Sequence, residues 1–226
     1  MELFYSVFVF IFGLLIGSFL NVVILRLPKN EDLVFERSHC PQCKTQLKWY
    51  HNIPVLSFIF LRGQCAFCGK RISWRYPLIE LLTGLIAYWL FPNEPTYEAI
   101  GMSAFYFFVA CLFICQFFID LDHQLLLDKL NIYLAISFFS FAVLHFHWTY
   151  WAIGSALGFF GTLGVTWLFY KIRGQIGLGG GDIKLFGILG LYLGPTGIMM
   201  NIFLSCLLGA SVGIILIALG RMTKDK

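Results

Sequence analysis

Charge is scarce in this chain. Asp, Glu, Lys and Arg make up 12% of its 226 residues, against about 25% in a soluble domain. Too little polar sequence is present to coat a water-soluble globule. A cytosolic enzyme, a disordered chain and a secreted disulfide scaffold are therefore excluded. Apolar residues fill the place of charge: 59% are hydrophobic, 22 more are glycine, and the mean hydropathy is +0.80. The length allows one domain with a small insert. The fold class that follows is an all-α polytopic membrane protein, and function must reside in its few polar residues.

A helical span needs about 20 mostly apolar residues. Such runs occur at 3–25, 77–91, 100–119, 131–144 and 150–170, and a longer run at 183–219 is broken at Gly194-Pro195. The pattern predicts about seven transmembrane helices, with the second, fourth and sixth short. Basic residues are missing from one side altogether. Of 16 Lys and Arg, nine lie between Arg26 and Arg75. The others are Lys129; Lys171, Arg173 and Lys184; and Arg221, Lys224 and Lys226. With seven spans all of them fall on one face. By the positive-inside rule that face is cytoplasmic, which predicts the N-terminus outside and the C-terminus inside. The first run has no basic residues ahead of it and no small-residue cleavage site after it, so it reads as a retained span.

Four of the seven cysteines form two Cys-x-x-Cys knuckles: Cys40 with Cys43, and Cys65 with Cys68. This spacing fits a four-thiolate zinc ribbon, each short turn letting two sulfurs converge on one tetrahedral ion. Two disulfides are the alternative, disfavoured in a reducing cytoplasm. Four cysteines close the coordination sphere, so the zinc reads as structural. Cys111 and Cys115, at i and i+4 in an apolar helix, and Cys206 read as buried packing thiols. The chain thus divides into a first transmembrane helix (1–25), a cytoplasmic zinc-binding insert (26–76) and a membrane-embedded core (77–226).

Acids beside apolar spans are costly and each raises a functional question. Seven of the twelve (Glu2, Glu31, Asp32, Glu36, Glu94, Glu98 and Asp225) lie in loops or termini. Glu80, Asp120, Asp122, Asp128 and Asp182 remain. Asp120 directly follows the third run, and Asp122 points about 200° away from it on a helix. Asp182 follows Gly177-Leu178-Gly179-Gly180-Gly181, a stretch that leaves room for a peptide to approach. It precedes a helix whose N-terminal dipole favours its ionised form. Two carboxylates at one membrane face suggest an aspartic protease dyad in which one member keeps a proton. The residues alone leave a second reading open: Asp120 and Asp182 as helix caps, or as partners of Lys129 and Lys184. No phosphate-binding Gly-x-x-x-x-Gly-Lys-Ser/Thr motif is present, so the glycines do not mark a nucleotide site.

Gly179-Gly180-Gly181-Asp182 matches the Gly-x-Gly-Asp signature of intramembrane aspartyl proteases. Further motifs are Gly17-Ser18-Phe19-Leu20-Asn21, the paired knuckles, Arg75-Tyr76-Pro77-Leu78-Ile79-Glu80, and Asp120-Leu121-Asp122-His123-Gln124 followed by Asp128. With these the whole chain resembles the bacterial type IV prepilin leader peptidases. Leu127 stands where that family usually has proline. The resemblance implies cleavage of prepilin or pseudopilin precursors at the cytoplasmic face of the inner membrane, after a glycine that ends a short basic leader. It further implies N-methylation of the new terminus, often phenylalanine, with S-adenosylmethionine as donor. It assigns catalysis to Asp120 and Asp182, and suggests Asn21 and Glu80 as polar members of the methylation region, where helix packing explains them equally well. The competing classes are a transporter with a zinc module, and a membrane-anchored zinc ribbon that binds a partner or nucleic acid. The apolar runs lack the midplane polar residues and internal repeat of a transporter. The basic residues of the insert are already explained by topology, so nucleic acid is not expected as a partner.

Overall fold

A bilayer forces each spanning segment to satisfy its own backbone hydrogen bonds, and the computed structural model is accordingly helical. It describes residues 2–33, 35–92, 96–175 and 177–219. Arg221, Lys224, Lys226, Asp225 and Glu94 lie outside the described residues. The order is α1 (Glu2–Arg26), α2 (Leu56–Phe60), α3 (Arg75–Leu90), α4 (Tyr97–His123), α5 (Asp128–His145), α6 (Trp148–Ala156), a π-helical turn (Leu157–Gly161), α7 (Thr162–Arg173) and α8 (Gly180–Ala218). Among the described residues the only β pairing is two isolated bridges. Every predicted apolar run is helical. Among the described residues, four stretches are long and apolar enough to cross a membrane: Phe4–Lys29, Tyr97–His123, Trp148–Arg173 and Gly180–Ile215. α3 has 16 residues, about 24 Å of helix, and α5 opens on Asp128, Lys129 and Asn131.

The chain forms two compact units, residues 1–127 and 128–226. In the first, α1 lies backbone to backbone against α3. A Cβ on Gly13 would fall 2.7 Å from the Ala87 Cβ, and one on Gly17 would fall 2.7 Å from the Glu80 Cα. This is the small-xxx-small packing of membrane helices, in which missing side chains let backbones touch. Ile79, Thr83 and Ala87 on the facing side are wholly buried. At the end of α1, Asn21 Nδ2 donates to the Gly17 carbonyl (3.3 Å) and across to the Tyr76 carbonyl (3.2 Å).

The insert between α1 and α3 is tied to this helix pair at two points. Arg26, 7% exposed, donates to the carbonyls of Asp32 (2.8 Å), Glu36 (2.8 Å) and Arg37 (3.2 Å). Glu80, 8% exposed, accepts the Val55 N–H at 2.8 Å. Val55 is β-branched yet sits at φ +59°, a conformation costing about 1–3 kcal/mol that the buried carboxylate holds in place. The two knuckles are copies of one another 25 residues apart. Cys40 N–H donates to Thr45 O, Lys44 N–H to Cys40 O and Leu47 N–H to Ser38 O. Cys65, Gly69 and Ile72 repeat these bonds with Lys70, Cys65 and Gly63. The bridges His39–Gln46 and Gln64–Arg71 are likewise equivalent.

In the second unit, Gly154 and Gly158 on α6 and the π turn meet the backbone of Phe186, Gly190 and Gly194 on α8. The predicted break is present: Gly194 takes φ +66°, ψ −173°, and Pro195 opens the following helical segment. The Tyr150 ring fills the place of a Gly194 side chain, and its hydroxyl donates to the Leu193 carbonyl at 2.8 Å, pinning α6 to the break in α8. The π turn adds a backbone carbonyl to satisfy, and Thr162 Oγ1 donates to Gly158 O (2.6 Å) and Phe159 O (3.2 Å). The expected helix ends shift slightly. α4 extends past residue 119 to His123, and α8 starts at Gly180 rather than at Ile183, because glycine can enter a first turn whose N–H groups need no helical partner.

The duplicated knuckles give a direct test of backbone strain. Lys44 (φ +57°) and Gly69 (φ +66°) occupy the same left-handed position, and a Cβ on Gly69 would meet nothing within 4 Å. Gly69→Val should therefore weaken the insert through conformation alone, by about 1–2 kcal/mol, whereas Lys44→Gly should not. Chelator-competition measurements of metal retention should rank Lys44→Gly at or above wild type and Gly69→Val below it.

Candidate functional site

Two groups of residues carry chemistry. The first is the cysteine cluster. The sulfurs of Cys40, Cys43, Cys65 and Cys68 all lie within 4.8 Å of one another. Four sulfurs at about 2.3 Å from a single zinc ion would lie roughly 3.8 Å apart, a separation compatible with that cluster. Cys40 and Cys65 are buried and the other two half-buried. The Cys43 thiol is lowered to about 6 by hydrogen bonds from the Thr45 hydroxyl and backbone N–H, which favours the thiolate that binds metal. The donor set and spacing fit a closed four-sulfur site that could hold a metal ion. His51 packs edge-on against Phe67 of the second knuckle and is not part of the set.

The second group is the aspartates. In the first unit Asp122 Oδ2 accepts from Arg75 Nη1. The same guanidinium reaches the Phe118 carbonyl (3.4 Å) and lies over the Phe118 ring, 4.9 Å from its centre. Asp122 thus ties the start of α3 to the end of α4. In the second unit Asp128, the first residue of α5, pairs with Lys184 at 2.7 Å. Lys184 is thereby engaged with Asp128, two residues after Asp182.

Asp120 and Asp182 have different surroundings. Asp120 lies in the last turn of α4, where the Gln124 N–H caps its carbonyl at 2.8 Å. Its side chain is exposed, and among the described residues no cation pairs with it. Asp182 is in the first turn of α8 and half-buried. Its carboxylate folds back over Gly179: a Cβ there would fall 3.0 Å from Asp182 Oδ2. This gives the glycine a steric reason, because a side chain at 179 would push the carboxylate aside. Asp120 belongs to the first unit and Asp182 to the second.

Asn21 and Glu80, suggested for methylation by the resemblance, are each engaged with backbone inside the first unit, to Tyr76 and Val55 respectively. The Arg75–Asp122 pair has no sequence signal, since its members are 47 residues apart. The knuckle repeat does have one, in the common 25-residue offset of Cys40 and Cys65, Leu47 and Ile72, and Trp49 and Trp74.

Residues 11–93 match the family described as bacterial peptidase A24 N-terminal domain, and residues 106–214 match the type IV leader peptidase family. Several curated proteins named prepilin leader peptidase/N-methyltransferase are similar along most of the chain. That of Myxococcus xanthus is 37% identical over 221 residues, covering 96% of this chain and 65% of its own length. That of Xanthomonas campestris is 38% identical over 239 residues, covering 92% and 81%. That of Klebsiella pneumoniae is 35% identical over 210 residues, covering 88% and 89%. The chain thus spans just under two thirds of the Myxococcus protein and most of the other two. No solved structure matches.

The Arg75–Asp122 pair should behave as a structural clasp. In detergent, Arg75→Met and Asp122→Asn should each lower the thermal midpoint slightly, and the double variant should be no worse than the poorer single. The coupling expected for a partly exposed pair is up to about 1 kcal/mol. Strictly additive losses would show that the two side chains act separately.

Proposed function

The chain belongs to the type IV leader peptidase family, and on that premise we propose that it removes the short basic leader of prepilin or pseudopilin precursors after a glycine. Asp120 and Asp182 would be the catalytic dyad, and the enzyme would then N-methylate the new terminus. The observation that carries the assignment is the place of Asp182 in the first turn of α8, with its carboxylate folded over Gly179. Asp122 and Asp128 hold cations that join helices. Asp120 and Asp182 end and begin apolar helices, and Asp182 follows a glycine cradle.

In the proposed reaction the carboxylate at the amino end of α8, where the helix dipole favours negative charge, takes a proton from water. The protonated partner hydrogen-bonds the scissile carbonyl as the water oxygen adds to it; the tetrahedral intermediate then collapses, the C–N bond breaks, and the proton taken from water passes to the leaving amine. The two protons belong to the pair, which titrates as a unit. The substrate suits this location: its leader is basic and stays in water, while the segment after the cut is apolar and stays in the bilayer.

The topology we propose has seven spans. It adds α3 and α5 to the four long apolar stretches and divides α8 at Gly194. The 16 basic residues then lie on one side, with the N-terminus outside and the insert (26–76), both aspartates and the C-terminus in the cytoplasm. Residues 77–226 would form the protease core. The protein would reside in the bacterial inner membrane. Zinc is the ion we assign to Cys40, Cys43, Cys65 and Cys68, where it would join the two knuckles and supply rigidity rather than chemistry. S-adenosylmethionine would be the methyl donor. Asn21 and Glu80, buried and already bonded, do not form an open cradle for it, and no methyl-transfer step runs through them. A transporter is not favoured, since the family motifs coincide with the site.

Elemental analysis of the purified protein should find one zinc per chain. Cys43→Ser or Cys68→Ser should lose it while the membrane helices remain folded, because those helices do not depend on the thiolates.

Asp120→Asn and Asp182→Asn should each abolish cleavage of a prepilin-like peptide, followed by mass, while insertion and zinc content persist. An amide cannot act as the base, and one missing member disables a catalytic unit. Asp122→Asn and Asp128→Asn should lower the rate only in part. Normal cleavage by both Asp120→Asn and Asp182→Asn would refute the protease assignment. The same peptide reports methylation separately, as the added mass of one methyl group on the product.

A further inference from the structure

A cleft of about 470 Å³ opens in the second unit beside the first turn of α8. One wall is the α8 stripe Lys184, Gly187, Ile188 and Leu191, and the other is the α5 stripe Asp128, Asn131, Ile132 and Ala135. Both stripes follow the i, i+3, i+4, i+7 spacing of a single helix face. The helices are joined at the mouth by the Asp128–Lys184 ion pair. Just beyond the last wall residues, Phe138 stacks on Tyr192 with ring centres 5.2 Å apart and closes α5 onto α8. Between these two clasps the two stripes line the cleft. The π turn supplies the floor: it carries Phe159, whose Cβ lies 3.0 Å from where a Gly187 side chain would begin. Any larger residue at 187 would fill the space.

We propose that this cleft is the subsite that receives the first apolar residues after the scissile bond, and so sets the preference for a large side chain there. The inference rests on Asp182 being a protease aspartate. Three observations support it. The cleft starts in the helical turn that carries Asp182, since Lys184 and Gly187 follow it by two and five residues. Its polarity changes in the same order as the substrate's along the two stripes, from Asp128, Asn131 and Lys184 at the end nearest Asp182 to Ile132, Ala135, Ile188 and Leu191 farther along, with Ser155 also in the lining. Its depth also fits. Lys184 to Leu191 is seven residues of helix, about 10 Å, which matches roughly three residues of extended peptide. Asp182 would lie at the end where the cut falls, and the apolar end would point along the bilayer-resident part of the substrate. Ala135 and Leu191 would limit side-chain size at the deep end. The Asp128–Lys184 pair would hold the mouth at fixed width.

Photo-crosslinking tests this without requiring turnover. A peptide with a basic leader, glycine and an apolar segment would carry benzoylphenylalanine at the first or third position after the glycine. Full-length Asp182→Asn protein in lipid nanodiscs would hold it uncut. Cross-links should map to residues 132–135 and 188–191. Cross-links elsewhere, or none, alongside normal cleavage by wild type would overturn the subsite and leave the protease reading intact. Cross-links in the cleft with a wild type that never cleaves would overturn the protease reading and leave a peptide-binding cleft. Failure of both would overturn both.

A kinetic arm reads specificity. Ala135→Phe should lower the ratio of kcat/KM for a phenylalanine peptide over an alanine peptide by at least about tenfold, the scale on which pockets discriminate apolar side chains. An equal loss for both peptides would count against the subsite.

Discussion

Lipid chains are as apolar as leucine, so helices in a bilayer gain little by hiding leucines from one another. Their association depends on how closely the backbones can approach. This constraint governs both units. Gly13 and Gly17 bring α1 onto α3, and Gly154 and Gly158 bring α6 and the π turn onto α8. Each seam positions chemistry. The α1–α3 seam buries Glu80, which holds Val55 and anchors the insert. The α6–α8 seam fixes the first half of α8, whose first turn carries Asp182. Glycine at 179 serves the opposite purpose, keeping space for a carboxylate rather than for a neighbouring helix.

Some of the charged residues at the helix ends hold neighbouring helices together. Arg75 with Asp122 and Lys184 with Asp128 tie helix ends together within their own units. A pair of this kind fixes the position of an aspartate and ties it to the neighbouring helix.

Much of this was legible in the residues. Apolar runs predict helices because a bilayer permits little else. Gly194-Pro195 predicts a break because glycine takes the left-handed conformation and proline cannot continue the helical bonding. The knuckles predict a four-sulfur cluster because two short turns can converge on one ion. The family expected from the motifs is the one that the comparisons return. Other features were hidden for physical reasons. Arg75 and Asp122 meet only through tertiary packing. The π turn at Leu157–Gly161 has no periodic signature, since one extra residue in a helix looks like ordinary drift in an apolar run. The start of α8 at Gly180 contradicts glycine's low helix propensity and is allowed only because it is a first turn. The 25-residue repeat was visible but obscured by Lys44 standing where its counterpart is Gly69.

The duplicated knuckles bear on how the insert would acquire an ion. Each half is closed by its own three backbone hydrogen bonds, so each is already a two-toothed chelator before the other arrives. An ion captured by one knuckle is presented to the second at the high effective concentration set by a short tether, and the final two bonds form as an intramolecular step. Loading would thus proceed in two bites instead of four separate encounters. Release would demand that both knuckles let go in succession, so an ion held there would exchange slowly even where the surrounding water holds very little of it.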